Sequence, residues 1–469
     1  MQVTSIRGNV AGSSVLSDLF SRPWFTRMWT IQELALSPKA TIICGQSEIE
    51  WEDLFNGVYF MSHLEHTFSG SNSNESQFAS SLKIYGQLRS LIHEVGYTLS
   101  DTKISHILTL VHPYNCSYPH DKMYALCGYL TKLGVEELPP VSYNLPAAKV
   151  YAEFTKKAML WDNSLDLLYA LGTPRTLVDL PSWSPDWGSF RNHMPILNSP
   201  FLASKNSEVR GILFTDNNEA LHLPGLIIDT IKARPNTNIP ANVEGDSARK
   251  HEIFLPNMEQ RVKAWQESVD LAAMLDHYPT GQEWTVILYE VFLQGGFIGD
   301  SGQVLSKNMG QFNEWLQLLQ AYNAGKGTAA TNTLITEAVK QALRSPQLSQ
   351  TYFSEGLIAA PKVMRSRAWN ILIAMSVRDG TKHIHHWIHN MTMGKVMFST
   401  ERGYLGVGSD LLQGGDQIIL IPGLRLPMII RECGNMKYRF VAPAYVHGIM
   451  RGEEWPEEED NVLSNFEFR

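Results

Sequence analysis

Hydrophobic and polar positions change period several times along the chain. Residues 13–66 carry the pattern of helix, helix, strand and helix, with Pro23 suited to the first turn of the second helix, where a missing N–H costs nothing. "KATIICG" is short, β-branched and closed by Gly45, which predicts a buried strand. "IEWEDLFNGVYFMSHL" returns to a helical period, and "SGSNSNESQ" (69–77) reads as loop or linker. Residues 78–170 are mostly helical in pattern, with three- and four-residue apolar spacing in "DKMYALCGYL" and "AAKVYAEFTKKAML". Pro181 and Pro185 keep "PSWSPDW" out of regular structure, so its two tryptophans are expected to plug a core. Strands and turns are expected over 209–233, then helices from about 253 to 390 with Gly-rich turns near 295 and 325. From about 395 short β-type runs follow one another between Gly and Pro, the pattern of an antiparallel sheet or small barrel. Within them "GGDQIILIPGLRLPMIIREC" reads as a hairpin turning near Pro422-Gly423. The order of elements is α+β, helix-rich in the middle and β-rich at the C-terminal end.

Residues 22–36, "RPWFTRMWTIQELAL", show the sharpest amphipathic pattern. On one helical wheel Trp24, Phe25, Met28, Trp29, Ile31, Ala35 and Leu36 share a broad apolar arc. Arg22, Thr26, Arg27, Thr30 and Glu33 fall opposite, and Gln32 alone interrupts the apolar arc. Trp29 lies one turn before Glu33, at the border between core and solvent. A carboxylate against an aromatic wall can have its pKa raised or flank a ligand. The plain alternative is a solvated glutamate paired with an arginine.

Composition narrows the function classes. At 469 residues and 44% hydrophobic, the chain is long enough for two or three domains. A net charge of −8 leaves no basic surplus for phosphates, which argues against nucleic acid as a partner. Cys44, Cys116, Cys127 and Cys433 are far apart, so neither a disulfide framework nor a zinc site is expected, and a reducing, cytoplasmic setting is. No apolar run has the length of a signal peptide or membrane span, so the sequons at Asn74 and Asn115 carry no weight. "GDSG" (299–302) lacks the context of a serine protease, and "AGKGT" (324–328) lacks the first glycine and the final Ser or Thr of a phosphate loop. "GYLGVG" has its glycines in the wrong order for a dinucleotide loop and reads as a β-turn. His385 and His389 share one helix face at metal-ligand spacing, but a third ligand is missing, so a polar face is expected and no metal site. Tyr404, Tyr445 and His447 would line a pocket if the β-rich part binds a ligand, with a structural histidine before Gly448 as the plain reading.

"RPWFTRMWTIQELAL" resembles the motif that closes the heterokaryon incompatibility (HET) domain of filamentous fungi. "DKMYALCGYL", "LPSWSPDW", "FSTERGYLGVG", "GGDQIILIPGLRLPMIIR" and "YVHGIMRGE" resemble further segments of such proteins, in the expected order from residue 22 to about 453. The resemblance implies fungal non-self recognition and a cell-death response, with protein partners or self-association and no membrane. It also implies a TIR-like α/β layout, and some TIR domains cleave NAD+ with the glutamate of a Trp-x-x-x-Glu helix. Trp29 and Glu33 have that spacing, which would make Glu33 the catalytic carboxylate, Trp29 the pocket wall and NAD+ a substrate, with no cofactor. The two opening segments of a complete HET domain are absent ahead of residue 22. The expectation is therefore a fragment, a mis-started gene model or a relative that lost its effector half, acting as a regulatory and recognition portion without its own catalysis. Two alternatives stand beside it: an NAD+-cleaving enzyme using Glu33, and a ligand-binding C-terminal β module. The expected layout is a TIR-like HET remnant at 1–68, a helical region at 78–200 and a mixed, mainly helical region at 201–394. A β-rich subdomain at 395–452 and an acidic, solvated tail at 453–469 follow.

Overall fold

The structure is a computed structural model and describes residues 19, 22–57, 103–189, 200–215, 220–240, 250–275, 277–298, 303–304, 308–322, 328–344, 366–458 and 462–469. The linker at 69–77 and "GDSG" lie outside the described residues, as do residues 324–327 of "AGKGT". The chain forms two compact units, one of Met1–Leu167 with Arg175–Phe190, the other of Leu168–Pro174 with Arg191–Arg469. Helices and largely antiparallel sheets occupy separate stretches, so the class is α+β.

In the first unit the expected single helix over 22–36 is broken. A 3-10 turn, Pro23–Thr26, is followed by extended backbone at Arg27 (φ −82°, ψ 137°), and α1 spans Trp29–Leu36. The break has a tertiary cause. Asn115 donates its N–H to the Thr26 carbonyl at 2.6 Å and its carbonyl accepts from Met28 N–H at 2.8 Å. The Thr30 hydroxyl donates toward the carbonyls of Arg27 (2.6 Å) and Trp24 (3.1 Å), covering acceptors that the break exposes. Thr30 is accordingly buried, contrary to the wheel. Gln32 lies where α1 meets a glycine: a Cβ on Gly128 would sit 2.9 Å from Gln32 Oε1. The strands β1 (Thr41–Cys44) and β2 (Ser47–Glu50) form a two-stranded hairpin. Ile43 is 71% exposed, which corrects the buried strand expected from its β-branched run. Its cross-strand partner is Glu48, so apolar composition here marks β propensity and not burial on both faces.

The helix α2 (Ile104–Val111) is capped at both ends from a distance. The Asp162 carboxylate accepts from Ile104 and Ser105 N–H at 2.8 Å each. Lys122 Nζ donates to the carbonyls of His112 and Tyr114 beyond the C-terminal end. Lys122 lies in the short helix α3 (Asp121–Tyr124), which precedes α4 (Cys127–Lys132), and Asp162 ends α5 (Ala147–Asp162). "PSWSPDW" fills the core as expected: Trp183 and Trp187 are buried. The Asp186 carboxylate beside them accepts from Thr176 N and Oγ1, Leu177 N and Gly188 N.

The second unit is built on an eight-stranded sheet. Its long strand β4 (Ala220–Ala233) pairs with β3 (Leu213–Thr215) and with β12 (Ser464–Phe468) along its first part. The second part pairs with β9 (Gln417–Leu420) and β7 (Lys395–Thr400). Partners then lead from β9 to β10 (Met428–Glu432), β11 (Lys437–Val446) and β8 (Leu405–Ser409), and back through β7 to β4. The sheet therefore closes into a barrel. Register shifts at Ile227/Asp229 and Ile231/Ala233 in β4 and at Ile429/Ile430 in β10 supply the curvature closure requires. Residues 453–469, expected as a solvated tail, end in β12, which lies between β4 and β11. "GYLGVG" is mostly strand: only Gly403 turns (φ +89°), while Gly406 and Gly408 lie in β8.

Helices cover the barrel. The helices α6 (Lys250–Ala273) and α7 (Trp284–Phe292) pack on β7 and β8, which explains why both strands are buried almost throughout. A small hairpin, β5 (Phe297–Ile298) and β6 (Gln303–Val304), follows. The helices α8 (Met309–Gln320), α9 (Ala329–Arg344), α10 (Arg367–Val377) and α11 (Lys382–Thr392) complete the layer. Trp265, Trp315, Trp369 and Phe292 are fully buried within it.

Candidate functional site

Trp29 opens α1 half-buried, and Glu33 stands exposed one turn later. Among the described residues Glu33 has no ion pair, so the arginine partner of the plain reading is not found. The Glu33 backbone carbonyl accepts from the Ser37 hydroxyl at 2.6 Å, an ordinary helix-end contact.

The three residues singled out in the β-rich part do come together, around a fourth that the sequence did not indicate. Tyr278 donates its hydroxyl to the His447 carbonyl at 2.8 Å and accepts from Leu405 N–H at 3.1 Å. Its ring meets Tyr404 edge-on at 6.1 Å. The His447 ring is held from both sides, by the Tyr445 hydroxyl at Nδ1 (3.2 Å) and by Gln282 Oε1 at Nε2 (2.7 Å). The proton arrangement that satisfies both contacts puts hydrogen on Nε2, with Nδ1 accepting from Tyr445. Tyr404 donates to Glu454 Oε1 at 2.8 Å, and Arg402 grips both oxygens of Glu454 at 2.8 and 2.9 Å.

Electrostatics reinforce these contacts. The hydrogen bonds from Arg402 and Tyr404 hold the Glu454 carboxyl below the usual range. Burial, then the bond to Glu454, pushes the Tyr404 phenol up to about 12. Burial also raises the Tyr278 and Tyr445 phenols. A protonated phenol and an ionised carboxylate make a strong charge-assisted bond. The arrangement is a clasp that ties the loop at 277–283 to β8 and to the end of β11. The hydrogen bonds of its phenols, carboxylate and imidazole are directed at one another. No sequence signal adds Tyr278, Arg402 and Glu454 to Tyr404, Tyr445 and His447, because they come from distant segments. Gly448 hints at the loop that packs there: with φ +91°, a Cβ on it would meet Thr280 and Tyr404.

His385 and His389 sit on α11 with ring centroids 6.1 Å apart. His385 is not on a polar face as expected. It is buried, takes a hydrogen bond from Trp315 Nε1 at 3.3 Å and meets the Trp265 ring edge-on. No group of three His, Cys, Asp or Glu able to hold a metal occurs among the described residues. All four cysteines are free thiols. No helix among the described residues is long and apolar enough to cross a membrane.

Known proteins agree with the barrel. The family model of the Het-6 beta-barrel domain matches residues 319–462. Heterokaryon incompatibility protein 6, OR allele, of Neurospora crassa is 24% identical over 497 residues, covering 94% of this chain. The chain spans 66% of the length of that relative. No solved structure matches. The Het-6 beta-barrel model falls on strands β7 to β11 of the closed barrel, and the similarity to the Neurospora heterokaryon incompatibility protein runs along nearly the whole chain.

Proposed function

We propose that this chain is the recognition and regulatory portion of an incompatibility protein, acting in fungal non-self recognition and cell-death signalling through protein contacts and without catalysis of its own. The observation that carries this reading is how the motif residues are used. Lys122 and Asp186 are buried and bonded to backbone, Trp183 and Trp187 fill a core, and the Tyr278–His447 clasp binds its own members. Such residues hold surfaces in place, and surfaces recognise partners. On this reading the 22–57 stretch is the closing part of a TIR-like fold, and Glu33 on it is a solvated residue. The name of the Neurospora relative supports the incompatibility role.

Two measurements test the proposal. Purified protein, across the concentrations at which it self-associates, is expected to release no nicotinamide from NAD+. Turnover that disappears in Glu33→Ala would replace this reading with an NAD+-cleaving one, in which Glu33 stabilises the oxocarbenium-like transition state as nicotinamide leaves. Expression in an incompatible fungal strain is expected to arrest growth equally for the parent and Glu33→Ala, and not for a variant with a disrupted barrel.

A further inference from the structure

We propose that Arg261, His385 and His389 form a binding site for a tetrahedral oxyanion of the phosphate type, between α6 and α11. The three residues belong to the helical layer and not to the barrel clasp. Arg261 is half-buried on α6, one turn before Trp265, whose ring packs edge-on against His385 at 5.8 Å. Among the described residues Arg261 makes no ion pair and no hydrogen bond, and its Nε–H is buried without a partner. A guanidinium has five N–H donors and cannot shed its charge, so this arrangement lacks an acceptor.

The histidines supply donors of matching kind. Trp315 Nε1 donates to His385 Nδ1, which places the proton of neutral His385 on Nε2. His389 follows one turn later on the same helix. The nearby charges are cationic: Arg261 acts on both imidazoles, and His386 adds to it. Carboxylates on neighbouring elements are engaged elsewhere, Glu314 of α8 with Arg378 and Glu259 of α6 with Ser366. Burial, first, and Arg261, second, depress His385 to about 3 and His389 to about 2, and burial lowers Arg261 to about 10. Each shift records a cationic form that lacks a counter-charge, and an oxyanion supplies one. A metal cation fits poorly, because Arg261 repels it and Trp315 already occupies His385 Nδ1. A tetrahedral oxyanion can take the Arg261 fork through two oxygens and still accept from imidazole N–H groups.

The test uses inorganic phosphate against chloride at equal ionic strength, with acetate as a planar anion. In the parent, phosphate is expected to raise Tm saturably and to move a histidine ring resonance in the NMR spectrum, while acetate does neither. In Arg261→Met both responses are expected to disappear. In chloride that variant is expected to melt no lower than the parent, because a charge without a partner has been removed. His389→Gln provides a second variant, in which the phosphate midpoint is expected to rise at least tenfold. Absence of a saturable phosphate response in the parent overturns the proposal. So does an unchanged response in either variant, and so does an Arg261→Met protein that melts well below the parent in chloride.

Discussion

Asp186, a carboxylate within the "PSWSPDW" motif, acts as a bracket. Its carboxylate takes four hydrogen bonds, three of them from backbone N–H groups, beside two buried tryptophans. Removing it leaves those donors facing a desolvated space, so Asp186→Ala is expected to cost about 2–4 kcal/mol, measured by urea denaturation. Glu33 is the opposite case. It is exposed and without an ion pair among the described residues, and Glu33→Ala is expected to change stability by less than about 0.5 kcal/mol in the same measurement. Glu33 follows Trp29 by four residues and Asp186 directly precedes Trp187, and burial decides what each acid does.

At the scale of elements, the break before α1 depends on Thr30. Thr30→Val keeps the shape and removes the hydroxyl that reaches the Arg27 and Trp24 carbonyls. A loss of about 1–3 kcal/mol is expected, read from the urea midpoint. Just after α2, the His112 ring meets Trp187 edge-on at 5.6 Å, and burial, then Lys122, lowers its pKa from 6.5 to about 4. The unfolded chain therefore takes up this proton near pH 6.5, whereas the folded chain resists it until about 4. The contribution is full above pH 6.5 and is lost as pH falls toward 4. His112→Phe is expected to flatten the stability profile over that window, leaving the slope from His385 and His389. In the barrel, a Cβ on Gly406 would lie 2.4 Å from the Phe398 ring and 2.7 Å from the Tyr445 carbonyl. Gly406→Ala is expected to lower stability by about 1–3 kcal/mol by overpacking, and Gly406→Val to prevent cooperative folding, as followed by thermal melting.

At the scale of the molecule, the barrel exceeds the stretch that defines it by family. Residues 319–462 contain β7 to β11, but β4 and β12, which join the two sides, lie outside. A fragment of 319–462 alone would leave long strand edges open. It is expected to show no cooperative unfolding by circular dichroism, whereas 200–469 is expected to unfold in one transition.

Much of this architecture was legible in local pattern. The hairpin at Pro422-Gly423 was, because Gly423 takes φ +81° and the flanking runs are continuously apolar. So were the β4 region, the helical middle and the tryptophans of "PSWSPDW". Each follows from periodicity or from proline and glycine constraints acting within a few residues. The single helix over 22–36 was misread because two backbone hydrogen bonds from Asn115 outweigh local helical preference there. The polar face at His385 was misread because a wheel cannot see Trp265 and Trp315. Of the clasp, Tyr404, Tyr445 and His447 were legible in the β-rich run, but Tyr278 was not, since its bond to His447 spans 169 positions.

The sequence by itself determined the class of fold, the order of elements and the family resemblance, because these depend on short-range spacing and ordered motifs. Only the tertiary structure decided that β4 closes the barrel, that Lys122 and Asp162 cap α2, and that Arg261 stands without an acceptor beside two histidines. Those outcomes depend on which distant groups share a desolvated space, and hydrogen bonding and charge act through space whatever the separation along the chain.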